Sequence, residues 1–428
     1  MKSHLFLDPV QRPQHLTRAT LLTLSTVCAA GGAWAQASPY YVGVSQALTI
    51  ESNLGRLPDG ATLPAILKKR SDTISSTTLI AGFDQPISRQ RVRGSVRLSA
   101  NRYANSSDLN NQSYMADLGV DWETVNRLSG VAEVSSQRSL RRFDPNETNQ
   151  AARTEKNLET VNQINLVGRI GGPTRFTGQL GLLWRQVDYS SAFYTTSEYD
   201  QTTLTAGLNY KASGSLLLGT ALRTGTTSYN RPGDDRRRND IDFTADYLPS
   251  GDLTRAHARL SYTAVSSSLA SNNDFRGFSG EARVNWRVTG KTTLTGRLVR
   301  DTGQDSAFYA ASTAARSVSV DYSRTTTTLF MGADHTLSAK IQLNAGLTYT
   351  HRNLTDSQYG LILGNQVFDG TDQTTGLTLG ARWRPTRAVQ LGCDASHEQR
   401  TSSGGVRGST PYSSNTFTCF GQFTLERL

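Results

Sequence analysis

The sequence predicts an all-β fold, a transmembrane antiparallel up-and-down β-barrel of about 18 strands, with about 16 as the alternative count. Three observations predict it. Runs of alternating apolar and polar residues recur along the chain. Short turn motifs join these runs in pairs, with longer polar stretches between the pairs. The N-terminus has the layout of an export signal.

The N-terminal segment, residues 1–35, is expected to be a secretory signal peptide. Lys2, Arg12 and Arg18 supply its positive region, Leu21 to Ala30 its apolar stretch, and Ala33-Trp34-Ala35 a small-x-small cleavage site. The apolar stretch is too short to span a bilayer as a helix, and no later window approaches the ~18 apolar residues that such a helix needs. Residues 36–428 are expected to form the barrel. Their polar composition, with a mean hydropathy of −0.43, does not exclude a membrane, because a closed barrel pairs its backbone without long apolar runs.

Strands are read from period two. Between Arg91 and Arg102, Val92, Gly94, Val96, Leu98 and Ala100 alternate with Arg91, Arg93, Ser95, Arg97, Ser99 and Asn101. The two sets must point to opposite faces of a strand. The pattern repeats in Tyr114–Glu123, Phe278–Arg287 and Leu377–Trp383. Small residues and charges crowd one face, which suits a wet lumen rather than a dry core. Strand centres are expected near residues 46, 78, 96, 118, 133, 163, 181, 205, 221, 244, 260, 283, 297, 328, 346, 378, 394 and 420, the signals being weakest near 133, 163 and 328.

The turns read WETVNRLSG (122–130), YKASGSLLL (210–218), YLPSGDLTR (247–255), WRVTGKTTLTG (286–296), HTLSAKIQL (335–343) and WRPTRAVQLG (383–392). An even strand count puts these short turns and both termini on the periplasmic side. Long connections such as 139–155, 302–315 and 353–370 are then expected outside. Trp122, Trp286 and Trp383 each stand just before a short turn, where a periplasmic aromatic girdle would lie.

One hairpin predicts a register. A two-residue Ser250-Gly251 loop would set Asp246 against Arg255, Thr244 against His257 and Asp242 against Arg259, a charge ladder on the lumen face. The cysteines predict a second pairing. Cys28 lies in the signal, which leaves Cys393 and Cys419. A hairpin centred on Val406 would place these two opposite each other on the lipid side, either bridged or as two small apolar residues.

The chain holds 45 Lys and Arg against 35 Asp and Glu, a formal net charge of +10. Residues 1–35 contribute three bases and one acid, so their removal leaves the remainder strongly basic. That balance favours anionic partners such as lipopolysaccharide or acidic glycans. Nucleic acid is not an expected partner, since no recognition motif is present. The candidate lumen-lining and glycan-contact residues are Arg91, Arg93, Arg97, Asp117, Asp121, Asp242, Asp246, Arg255, His257, Arg259, Arg283, Arg287 and Arg297. Arginine forks suit carboxylate or phosphate groups. For any single one of these residues, solvation and stiffening of the wall is the competing role.

No enzyme is expected, and no cofactor or metal. His257, His335, His351 and His397 are scattered without ligand spacing, and nucleophile elbows and phosphate-binding glycine loops are missing. His257 stands apart because Arg255 and Arg259 flank it on the same face.

The segments ESNLGRLPDG (51–60), SDTISSTTLIAG (71–82), RQRVRGSVRLSANRY (89–103) and DLGVDWETVNRLSG (117–130), with the later WRVTGK (286–291) and WRPTR (383–387), carry a family likeness. On these residues the chain resembles the EpsL-type outer-membrane proteins of exosortase-associated exopolysaccharide gene clusters, a branch of the β-barrel porins. Gly55 stands where that family usually has an aromatic, and the chain ends on Leu428 where barrel precursors usually end on an aromatic. The resemblance implies an outer-membrane barrel serving the synthesis or export of an extracellular polysaccharide. Its implied partners are outer-membrane lipid, the polysaccharide and other export components. It brings no catalytic residues. A non-conducting surface barrel that is structural or binds the glycan is the alternative.

Overall fold

The computed structural model describes residues 39–125, 127–141, 155–171, 175–230, 233–249, 253–268, 274–310, 317–360, 364–404 and 409–425. The signal segment 1–35, the Ser250-Gly251 turn, most of the connection 139–155 and the terminal Glu426–Leu428 lie outside them.

The first strands are β1 Tyr40–Glu51, β2 Asp72–Ile87, β3 Gln90–Tyr103, β4 Asn111–Glu123, β5 Leu128–Leu140 and β6 Leu158–Ile170. The next are β7 Phe176–Tyr189, β8 Tyr199–Lys211, β9 Leu216–Tyr229, β10 Asp235–Tyr247, β11 Thr254–Ser267 and β12 Phe275–Arg287. The last are β13 Thr292–Ala310, β14 Ser317–Ser338, β15 Ile341–Gly360, β16 Gly364–Trp383, β17 Val389–Ser403 and β18 Tyr412–Leu425. Every centre expected from the sequence falls inside one of these strands, including the weak ones in β5, β6 and β14.

The strands form one 18-stranded antiparallel sheet in which each pairs with its neighbour in sequence. β1 also pairs with β18, Val42 opposite Leu425 and Glu51 opposite Thr416, so the sheet closes on itself. Closure leaves neither the first nor the last strand with a free edge at the seam, as a lipid environment requires.

The two faces differ as period two demands. Leu204, Leu222, Phe243, Leu260, Phe278 and Leu298 all lie on the outer face and are exposed. Moving a leucine or phenylalanine side chain out of water is worth about 1.5–3 kcal/mol, so a belt of this kind is stable only against acyl chains. The buried apolar cluster is small and sits at one end of the barrel, formed by Leu54, Ile66, Leu67, Ile74, Tyr103 and Leu109.

Trp122, Trp286 and Trp383 lie on the outer face beside the short-turn rim, opposite Gly130, Leu294 and Leu391 respectively. Gly130 is a requirement of that packing. A Cβ there would meet the Trp122 ring at 2.6 Å and the Val167 carbonyl oxygen at 2.3 Å.

Two expectations need correction. Within the stretches 302–315 and 353–370, residues 302–310, 353–360 and 364–370 are strand, not loop, because β13 to β16 run for 19, 22, 20 and 20 residues, while 311–315 and 361–363 lie outside the described residues. Crossing a bilayer takes about 9–11 tilted residues, so these hairpins continue beyond the membrane. Their polar sequence marks departure from lipid, while antiparallel pairing goes on satisfying the backbone.

The β10–β11 register also differs from expectation. Tyr247 faces Ala256, Asp246 faces His257, Thr244 faces Arg259 and Asp242 faces Ser261. The expected register would have placed Pro249 in the closing pair of the hairpin, where its missing N–H forfeits a ladder bond. β10 instead ends at Tyr247 and β11 begins at Thr254, and the pairing slips by two residues. A two-residue slip preserves the faces and changes only the partners.

The β17–β18 register puts Cys393 opposite Cys419, and the two are bridged with a Cα–Cα distance of 4.1 Å. The bridge shares the outer face with Leu391 and Phe417.

Candidate functional site

The inner face of the wall is an array of arginine–carboxylate contacts. Arg91 Nε donates to Asp84 Oδ1 at 2.7 Å across the first short turn. Arg93 bridges two acids, Asp121 on β4 and Glu133 on β5, the latter at 2.6 Å. Asp117 accepts from the Ser95 hydroxyl at 3.4 Å. Arg97 lies between Ile80 and Met115, exposed to the lumen, and makes no ion pair among the described residues.

A denser network covers β9 to β13. Arg223 contacts Asp242 at 3.1 Å and Asp240 at 3.3 Å. Arg238 contacts Asp240 and reaches along the wall to Asp301, each at 3.0 Å. Ser261 and Thr263 donate to Asp242 and Asp240, both at 2.5 Å. Arg259 is more distant, 3.8 Å from Asp242. His257 Nδ1 is 2.6 Å from Asp246, so its neighbours make it a hydrogen-bonded wall residue. Arg283 and Arg297 both contact Glu281 at 2.9 Å. Arg255 lies opposite Asn285 and Arg287 opposite Thr293 on the same face.

The sequence-predicted residues thus all share the inner face. Several partners were not singled out from sequence: Glu133, Arg223, Arg238, Asp240 and Glu281, with Arg352–Asp372 and Arg382–Asp394 on the opposite wall at 2.8 Å each. The same period-two parity identifies them, since each falls in step with inner-face neighbours.

The first connection, 52–71, is the least anticipated part of the site. It turns inward and packs on the inner wall instead of standing in solvent. Leu54, Ile66 and Leu67 bury against Ile74 of β2, Tyr103 of β3 and Leu109 in the 3-10 turn Ser107–Leu109. Asn53 knits it together, donating to the Leu57 and Ser413 carbonyls and accepting from the Leu57 amide. Arg70 donates to the Leu57 and Pro58 carbonyls. Gly55 fits because a Cβ would meet Leu67 Cδ1 at 2.8 Å, which leaves no room for an aromatic. The clue in the sequence is the set Leu54, Leu57, Ile66 and Leu67, apolar residues in a connection that has no lipid to face.

Arg56 anchors this segment. It adopts a left-handed backbone (φ 50°) and contacts Glu398 at 3.0 Å and Glu51 at 3.6 Å. Burial disfavours its charge, but the two carboxylates outweigh this and hold its pKa above the ordinary guanidinium value. Tyr412 donates to Glu398 at 2.5 Å, and its ring centre is 5.8 Å from the guanidinium of Arg56 and 4.9 Å from that of Arg400. On another side of the mouth, the 3-10 turn Ala192–Ser197 reaches from the β7–β8 connection to β13. The mouth is therefore narrowed from two sides.

Among the described residues no group of three His, Cys, Asp or Glu side chains is placed to hold a metal ion.

Residues 247–417 match the model of the family described as "Putative beta-barrel porin 2". The closed wall makes the chain a β-barrel, and its C-terminal part is similar to that porin family. The matched region runs from the end of β10 into β18 and covers less than half of the chain. No curated protein matches the sequence. Among solved structures, the barrel is similar to OccK2 (OpdF) of Pseudomonas aeruginosa, at 12% identity and a TM-score of 0.47, over 91% of this chain and 98% of that one. It is also similar to the Pseudomonas aeruginosa outer membrane protein OpdK, at 11% identity and a TM-score of 0.46, over 90% and 99%. The outer membrane channel DcaP of Acinetobacter baumannii shares 11% identity at a TM-score of 0.43, over 90% and 96%.

Proposed function

We propose that this porin-like barrel is an outer-membrane component of extracellular polysaccharide synthesis or export, forming an aqueous passage for a glycan, and that residues 1–35 direct its export and are then cleaved. The observation that carries the passage is the inner wall. Many of its charges are paired along the wall, Arg223 with Asp242 and Arg382 with Asp394, so these solvate a lumen without needing a plug to neutralise them. The polysaccharide pathway rests on the resemblance of 51–60, 71–82, 89–103 and 117–130 to the EpsL-type proteins. In this reading the outer face meets lipid and lipopolysaccharide, and other export components act as partners.

The inward-folded 52–71 segment favours a second reading, a surface barrel that binds the glycan without conducting it. Single-channel recording with neutral and charged oligosaccharides separates the two. Conductance with transient block by oligosaccharide is the expected result. A barrel that is silent in planar bilayers yet retains glycan on a column would support the second reading and end the first.

A further inference from the structure

The geometry points to an oxyanion-binding site on the lumen wall at Arg283 and Arg297, made to hold the carboxylate of an acidic sugar unit. This deepens the passage reading by naming its substrate class.

Two arginines sharing one carboxylate distinguish this place from the networks beside it. Arg223, Arg238 and Arg259 share Asp240, Asp242 and Asp301, while Arg352 and Arg382 each have an aspartate of their own. Arg283 and Arg297 instead share the one carboxylate of Glu281, and both contact the same oxygen, Oε1. The register makes the crowding plain. Arg283 stands directly opposite Arg297 on β13 and directly opposite His257 on β11. Two guanidiniums in directly opposed positions are destabilising in a sheet, and a bound anion would relieve them.

Spare donor capacity supports the assignment. A guanidinium carries five N–H donors, and here only one nitrogen of each is committed to Glu281. Arg283 Nε is buried and without a hydrogen-bond partner, so the donors that Arg283 offers the lumen are the uncommitted N–H groups of its Nη nitrogens. Arg297, with 34% of its side chain exposed, is open to the lumen. Arg287 lies nearer the short-turn rim on the same face, opposite Thr293, and adds positive potential. Two forked donors side by side match the planar, bidentate geometry of a carboxylate.

The test compares wild-type barrel with Arg283→Gln, Arg297→Gln, the double variant and Glu281→Gln. Each is checked for folding by heat-modifiable gel mobility. Trigalacturonate, maltotriose and inorganic phosphate are the probes, read by calorimetry on detergent-solubilised barrel and by current block in planar bilayers. Trigalacturonate should bind more tightly than maltotriose or phosphate. Loss of either arginine should weaken it by about tenfold or more, as expected for a charged hydrogen-bonded contact. Glu281→Gln should strengthen it, since the acid competes with the ligand for the same donors. Binding that survives in the folded double variant, or that is equal for trigalacturonate and maltotriose, overturns the site. Phosphate binding as tightly as trigalacturonate overturns the sugar as its occupant. Arginine-dependent binding in a silent barrel would keep the site and end the passage reading, whereas current without such binding would do the reverse.

Discussion

Arg56 in the inward-folded first connection and Glu398 on the inner face of β17 lie 3.0 Å apart, although 342 positions separate them in the chain. This contact pins a connection to the far end of the sequence and brings it against the seam where β18 meets β1. Arg56→Ala should release residues 52–71 without unfolding the barrel, whose closure depends on backbone pairing. A lost charged hydrogen bond is worth on the order of 1.5–3 kcal/mol. The released segment should become sensitive to added protease in intact cells, and current noise should rise in bilayers. Glu398→Ala should do the same, and the double variant should add little to either single one.

The Cys393–Cys419 bridge closes a loop with a sequence separation of 26. Chain-entropy models give roughly 3–4 kcal/mol for a loop of that order, with the mechanism model-dependent. Purified barrel should show no free thiol until it is reduced under denaturing conditions. The Cys393→Ser/Cys419→Ser pair should lower the temperature at which gel mobility changes. Wild-type protein that reacts fully with a thiol reagent without reduction would contradict the bridge.

The β10–β11 register can be tested through Asp242, which lies 3.1 Å from Arg223 and 3.8 Å from Arg259. A double-mutant cycle should give a coupling of about 1 kcal/mol for Asp242 with Arg223, and distinctly less with Arg259. The opposite order would favour a register in which Asp242 and Arg259 stand directly opposite.

The barrel is legible in the sequence because period two survives every local ambiguity. Even β14, weak in its signal, carries Leu329 and Met331 outward and Thr328 and Phe330 inward. What the sequence hides depends on ends and on distance. Pro249 moves a hairpin's partners while leaving its faces intact. The stretches 302–310 and 353–370 are polar in sequence whether they pair or loop, so composition cannot mark where pairing stops. The fold of 52–71 depends on Tyr103, Leu109 and Glu398, which no local pattern connects to it. Glu281 becomes notable only once β11, β12 and β13 are aligned and its two arginines are seen to share it.

The assignment of faces predicts a sharp contrast between two adjacent residues of β8. Leu204 is outward and 54% exposed, while Thr203 is inward, opposite Leu183 and Gly225. Leu204→Arg should cost about 2–4 kcal/mol if it lies near the middle of the bilayer, because the guanidinium must leave water for hydrocarbon. Thr203→Arg should cost much less, since Gly225 leaves space beside it and the lumen hydrates the new charge. Urea unfolding in liposomes measures both. Equal costs for the two substitutions would mean that both faces of β8 meet the same solvent, which a lipid-spanning wall with a wet interior does not allow.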